Sequence, residues 1–174
     1  RPRRAAVLTH DPGGTPLGES LRRLVKSGPP ISAVSELFLF EAARAQLVRT
    51  VILPALSAGR VVVADRYVAS TVAYQVYGRE LDRNLVDRLN SEATGGLMPD
   101  LTVFLDLPVD TALARIERQD SDTFDQAPLD FHRRVQEGYR AQAQADPERW
   151  LVLDGTTSKR ELSRQVWGKV QPLL

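Results

Sequence analysis

Cysteine is absent from the 174 residues, so disulfides, thiolate zinc sites and cysteine nucleophiles are excluded. Histidine is nearly absent as well: only His10 and His132 occur, too little for a histidine-built metal centre. Charge of one sign is missing, with 23 basic against 22 acidic residues and a net charge of +1, so no nucleic-acid or membrane surface is indicated. No apolar run approaches the roughly 18 residues of a membrane span. No signal peptide opens the chain, because Arg1-Pro2-Arg3-Arg4 leads into only five apolar or small residues. Repeats, low-complexity segments and linkers are also lacking. What remains is a composition of 43% hydrophobic and 26% charged residues, which is globular. The expectation is one cytoplasmic domain spanning residues 1–174. Lysine is scarce too: Lys26, Lys159 and Lys169 are the only three of the 23 basic residues, leaving 20 arginines. Codon bias explains that excess, and so does phosphate binding, where a planar guanidinium outperforms an ammonium.

Four short apolar runs stand out: 5–9 (AAVLT), 61–64 (VVVA), 101–105 (LTVFL) and 150–153 (WLVL). Each reads as a strand covered on both faces and closed by a turn. Amphipathic segments separate them. One begins near Pro16, with Leu17, Leu21, Leu24 and Val25 on one face. A long one is capped by Ser32 or Ser35, is kinked or restarted as a new turn at Pro54, and is stopped at Gly59. Others cover 70–77, 82–94, 109–119, 129–145 and the stretch after Ser158. Alternating strands and helices predict a parallel α/β sheet with helices on both faces. Ligands then sit beyond the carboxyl ends of the strands, which carry His10-Asp11, Asp65-Arg66, Asp106 and Asp154-Gly155.

Three constellations gather there. Asp65 can hold magnesium and Arg66 can clasp a phosphate, although a strand-terminal Asp-Arg is as often a turn. The 11–15 run, Asp-Pro-Gly-Gly-Thr, lets the backbone approach an anion, or is a plain tight turn. Phe40 and Arg44, one helical turn apart, can stack on a base and meet its carbonyl edge; alone, Phe40 reads as core and Arg44 as solvated.

Taken together these residues resemble the bacterial thymidylate kinases. The run 9–14 (THDPGG) is similar to the family's Thr-Arg-Glu-Pro-Gly-Gly, the run 40–44 (FEAAR) to its Phe and Arg four apart, and the run 65–75 (DRYVASTVAYQ) to its Asp-Arg-Tyr signature. Further similarity lies in 99–107 and in 131–135 with Tyr139 downstream. The resemblance implies a nucleoside-monophosphate-kinase-like sheet with a lid near 116–128, and transfer of a phosphoryl group from ATP to dTMP with Mg2+. Phe40 would stack on thymine, Arg44 reach its carbonyl edge and Thr71 hydrogen-bond the base. Tyr74 would lie beneath the sugar, with Gln75 beside it. Arg66 would hold the phosphate and Asp65 help place the metal. Asp11, Pro12 and His10 fall on the substrate-binding turn, Arg115 and Arg118 toward the lid, and Gly155 and Thr156 where adenine packs. A homodimer through the long helices is also implied.

Three departures accompany the resemblance. No Gly-x-x-x-x-Gly-Lys-Ser/Thr occurs in the 174 residues. The family's first strand, phosphate loop and first helix would precede Arg1, so the expectation is a fragment, or a segment supplied from outside. In the family that strand is central, and without it the sheet divides into two halves that a complete protein would have to pair directly. His10 and Asp11 replace an arginine and a glutamate, and the lid reads 119–125 (QDSDTFD) without the usual arginine. These departures point to an alternative: a non-catalytic homologue that binds a nucleotide or a partner. A deoxynucleoside kinase or another monophosphate kinase would share the fold but not the Asp-Arg-Tyr to Ala-Tyr-Gln run.

Overall fold

A computed structural model describes residues 5–115 and 124–174. Strand β1 (Ala6–His10) pairs in parallel with β2 (Val61–Asp65), and β3 (Thr102–Asp106) with β4 (Trp150–Asp154). The registers set His10 beside Asp65 and Asp106 beside Asp154, so both pairs end in polar residues at one edge. The two pairs are separate sheets, the division read from the sequence; direct pairing of the halves is not formed among the described residues. Each run is apolar on both faces, yet exposure alternates along it. Val62 packs against Leu47, Val48 and Ile52 and Leu153 is buried, while Leu8, Val63, Leu105 and Val152 remain open.

Helix α1 (Pro16–Ser27) begins where Thr15 accepts a hydrogen bond from the Gly18 amide, with proline at its first position. The sequence assigns Leu17, Leu21, Leu24 and Val25 to its packed face. The structure buries Gly18 and Val25 and leaves Leu17 and Leu24 exposed. Gly18 lets the helix close on the preceding turn, which rotates the packed face. Helix α2 (Ala33–Leu47) is capped by Ser32 and buries Leu37, Ala43, Arg44 and Leu47. Pro54 lacks the N–H that an α-helix would require. The preceding turn, Val48–Ile52, widens so that the Leu53 amide reaches back to the Val48 carbonyl, and α3 (Leu53–Ser57) follows. The chain bends around the proline instead of breaking, and Gly59, at φ 70°, ends it.

Helix α4 (Val68–Thr71) continues in a second widened stretch, Val72–Gly78, where the Arg79 amide bonds to the Tyr74 carbonyl. Asp82 caps α5 (Arg83–Thr94), α6 (Val109–Ala114) follows β3, and Ser158 caps α8 (Lys159–Val170). Helix α7 (Leu129–Ala145) lies against the widened stretch. A Cβ on Gly138 would sit 2.8 Å from the Tyr77 ring, so glycine sets how closely these two elements approach. The core that supports the site joins Val25, Ala73, Phe131 and Val135, with Phe40, Tyr74 and Tyr139 packed against it. Burying each large apolar chain contributes about 1.5–3 kcal/mol.

Candidate functional site

A cavity of about 230 Å3 opens between α1, α2 and the helix after β2. Its floor is a buried cluster centred on Arg44, which is 2% exposed. Arg44 Nε donates to Asp11 Oδ2 at 2.6 Å, and Nη1 donates to Glu41 Oε1 at 2.8 Å and Asn90 Oδ1 at 2.6 Å. Nη2 donates to the Thr71 hydroxyl at 2.7 Å. A guanidinium has five N–H groups, so four are engaged and one on Nη2 is left. Burial opposes the charge of Arg44, but Asp11 and Glu41 more than offset it and raise its pKa. The same burial raises both carboxyls above their ordinary values, against the pull of Arg44. Tyr67 beside them is pushed up to about 12, chiefly by burial. Asp11 Oδ1 and Glu41 Oε2 are buried without a partner.

The wall nearest β2 is built by Arg66. Its φ of 69° is a left-handed conformation that residues other than glycine rarely adopt, at a cost of about 1–3 kcal/mol. That turn aims the side chain into the cavity, where its guanidinium lies 5.1 Å from the Tyr74 ring centroid. Burial opposes the Arg66 charge, while Tyr74, Tyr139 and Asp65 hold it, and its pKa stands above the ordinary value. Ser70, also on the cavity, bonds the Tyr139 hydroxyl at 2.7 Å, and Tyr139 stacks on Phe104 of β3 at 5.1 Å.

The wall formed by α2 presents Phe40, whose ring is 6.0 Å from Phe124; Phe124 meets Tyr74 edge-on at 5.7 Å. Gln75, 1% exposed, donates from Nε2 to Glu36 Oε1 at 2.9 Å. Glu36 is also gripped by Arg79, whose Nε and Nη2 donate to its two oxygens at 3.1 and 2.9 Å. The turn after β1 completes the rim. Its Asp11–Pro12 peptide bond is cis, and Gly14 adopts φ 68° where a Cβ would collide with Thr9 Oγ1.

The cavity therefore gathers Asp11, Pro12, Phe40 and Arg44 with Asp65, Arg66, Thr71, Tyr74 and Gln75. His10 does not line it; its Nε2 pairs with Glu19 at 2.7 Å, and Glu19 also accepts from the Gly14 amide. His10 thus fastens the turn to α1. Arg115, Gly155 and Thr156 lie elsewhere: Arg115 Nη1 donates to the Gly155 carbonyl at 3.1 Å, and Asp154 accepts from Thr156. Arg118, and most of the lid expected near 116–128, fall outside the described residues. Sequence reasoning missed Arg22, Lys26, Ser70 and Phe124, all on the cavity. Arg22 shares the packed face of α1 with Gly18 and Val25, a spacing of four and three that would have exposed it, and it donates to the Pro12 carbonyl.

A cation-lined cavity with one aromatic wall and a buried arginine suits an anionic aromatic ligand such as a nucleotide. Among the described residues no group of three metal-binding side chains occurs, and no helix is long and apolar enough to cross a membrane. Comparison with known proteins gives this cavity its context. The family model for thymidylate kinase matches residues 2–166. A thymidylate kinase of Synechococcus sp. (strain JA-2-3B'a(2-13)) is 47% identical over 170 residues, covering 98% of this chain and 82% of its own. That of Thermomicrobium roseum is 46% identical over 171 residues, covering 97% and 81%. The crystal structure of thymidylate kinase from Ehrlichia chaffeensis superposes with a TM-score of 0.72 at 32% identity, over 88% of this chain and 72% of that one. The chain belongs to the thymidylate kinase family.

Proposed function

We propose that the cavity is where this kinase holds dTMP, with the base between Phe40 and the Arg44 cluster and the phosphate at Arg66. The observation that carries this reading is the pairing of opposite poles within one cavity: a guanidinium carried on a strained backbone turn on one wall and an aromatic ring beside a single N–H of Arg44 on another. The Arg44 hub is rigid because Asp11, Glu41, Asn90 and Thr71 hold four of its donors; the fifth, on Nη2, is the one a thymine carbonyl would take. Thr71 accepts from Arg44 and keeps its own O–H to donate. Phe40 supplies a stacking face, and Tyr74, fixed edge-on by Phe124 and Phe131, packs under the sugar.

Thymidylate kinases move a phosphoryl group from ATP to dTMP, giving dTDP and ADP. The transition state is loose and anionic, so the protein acts by positioning and by positive charge. Arg66 pins the acceptor phosphate, and Arg22 and Lys26 add positive charge along the same rim. Mg2+ takes one or two carboxylates and completes its shell with water and phosphate oxygens. Asp65 fits that demand, since it lines the cavity next to Arg66, and the other carboxylate on the cavity, Asp11, is already engaged by Arg44. When bound, the ion would neutralise phosphate charge. The strand ends carrying Asp106, Asp154, Gly155 and Thr156 are the side for the adenine nucleotide, with Arg115 fastening that loop.

The protein acts in the cytoplasm on this reading, as a homodimer. Val34, Phe38, Leu53 and Leu56 are exposed along α2 and α3, an apolar stripe suited to a second copy. The test of function is dTMP-dependent ADP release from ATP and magnesium, with dUMP and no acceptor as controls. Arg66→Ala abolishes turnover while leaving helix content unchanged; near-normal turnover would remove Arg66 from phosphate binding.

A further inference from the structure

Glu36 has no place in the chemistry above, although it is 4% exposed and accepts three hydrogen bonds. It stands in the first turn of α2, does not line the cavity, and touches the one cavity residue whose two polar ends differ. The Gln75 side chain has a donor pole, the NH2, and an acceptor pole, the carbonyl oxygen. A carboxylate facing it only accepts, so only Nε2 can turn toward Glu36; the reverse orientation would press two acceptors together in a buried place. Arg79 closes the other side of Glu36 with two further donors, which holds the carboxylate in place. With Nε2 committed to Glu36, the pole left for the cavity that Gln75 lines is Oε1, an acceptor.

We infer that Glu36 is a positioning residue that fixes the Gln75 amide with its oxygen toward the base, so that the pocket selects pyrimidines carrying a proton on N3. The inference rests on the reading of this cavity as the thymidylate site. Thymine and uracil offer an N3–H to Oε1 and a carbonyl at C4 to the remaining Arg44 N–H. Cytosine presents a bare N3 that would oppose Oε1, and at C4 an amine that would oppose the guanidinium. Both readers therefore reject cytosine, and one of them is set from outside the cavity. A site built to pair a polar edge discriminates strongly, because the wrong edge leaves its buried groups unpaired. Glutamine at position 36 can turn either end to Gln75, so the lock is released with little change in size.

The experiment measures dissociation constants for dTMP, dCMP and thymidine by calorimetry, with dCMP read by displacement. The proteins are the wild-type chain, Glu36→Gln and Glu36→Asp. Glu36→Asp retains the charge opposite Arg79 but withdraws it from Gln75 by one methylene, so it serves if the first variant does not fold. The preference for dTMP over dCMP narrows roughly tenfold or more in either variant, while the preference for dTMP over thymidine, which reads the phosphate pole, stays at the wild-type value. An unchanged dTMP-to-dCMP ratio in a folded variant overturns the role of Glu36. So does a parallel fall in both ratios, which is what a merely structural residue would give. Failure of the wild type to bind dTMP overturns the site assignment itself.

Discussion

The Arg44 cluster and the strand ends of β3 and β4 hold similar residues in opposite circumstances. Around Arg44, two carboxylates, an amide and a hydroxyl are sealed from solvent and joined through one guanidinium. At β3, Asp106 is bound by Arg140 through two hydrogen bonds of 2.8 and 3.1 Å, yet Arg140 is 46% exposed. Distances alone would rank the two pairs as equals. Water decides otherwise, because an exposed pair exchanges one set of hydrogen bonds for another, whereas a buried one leaves orphans when broken. On the proposed reading, the buried cluster is therefore where stability and base recognition are joined, and the strand ends would meet a ligand without such a penalty.

Breaking the buried cluster has the largest effect. Arg44→Met leaves Asp11, Glu41 and Asn90 without their shared donor and lowers unfolding stability by about 3–5 kcal/mol in urea titration. A smaller change sharpens the contrast. Glu41 has its folded pKa raised above the ordinary 4.5 by burial, against the opposing pull of Arg44. Its stabilisation is thus fully present below pH 4.5 and is lost as pH rises through the raised folded value. Glu41→Gln keeps an acceptor for Arg44 and removes that linkage. The variant gains stability relative to wild type between pH 4.5 and neutrality, read from thermal unfolding at a series of pH values. A difference independent of pH would mean that Glu41 is not held in this way. The smallest effect belongs to the strand ends: Arg140→Ala costs no more than about 1 kcal/mol, less in high salt.

Much of this arrangement is legible in the chain because it is local. Ser32, Asp82 and Ser158 announce their helices, since a capping side chain acts three residues away. The pair Phe40 and Arg44 is visible as one turn of helix. The partners of Arg44 are not, because Asp11 and Asn90 lie 33 and 46 residues distant and no spacing relates them. Glu36 reads as an ordinary acidic residue in a first turn, favourable to the helix dipole, and only the fold brings Gln75 and Arg79 to it. His10 reads as a ligand contact at a strand end, but the nearer Glu19 claims it. Pro54 reads as a kink or a new turn, and a new helix does begin at Leu53; the widened turn before it is not legible, since sequence marks the missing donor and not how the backbone accommodates it.

The central claim is that one cavity grips both ends of a nucleotide, with Arg66 as its phosphate pole. Its most direct test is the affinity of the chain for dTMP against thymidine, in wild type and in Arg66→Ala. The wild type binds dTMP on the order of 100-fold more tightly than thymidine, and Arg66→Ala reduces that preference to near unity while thymidine binding is retained. Equal affinity for the two ligands in the wild type, or a preference that survives the loss of Arg66, would contradict it.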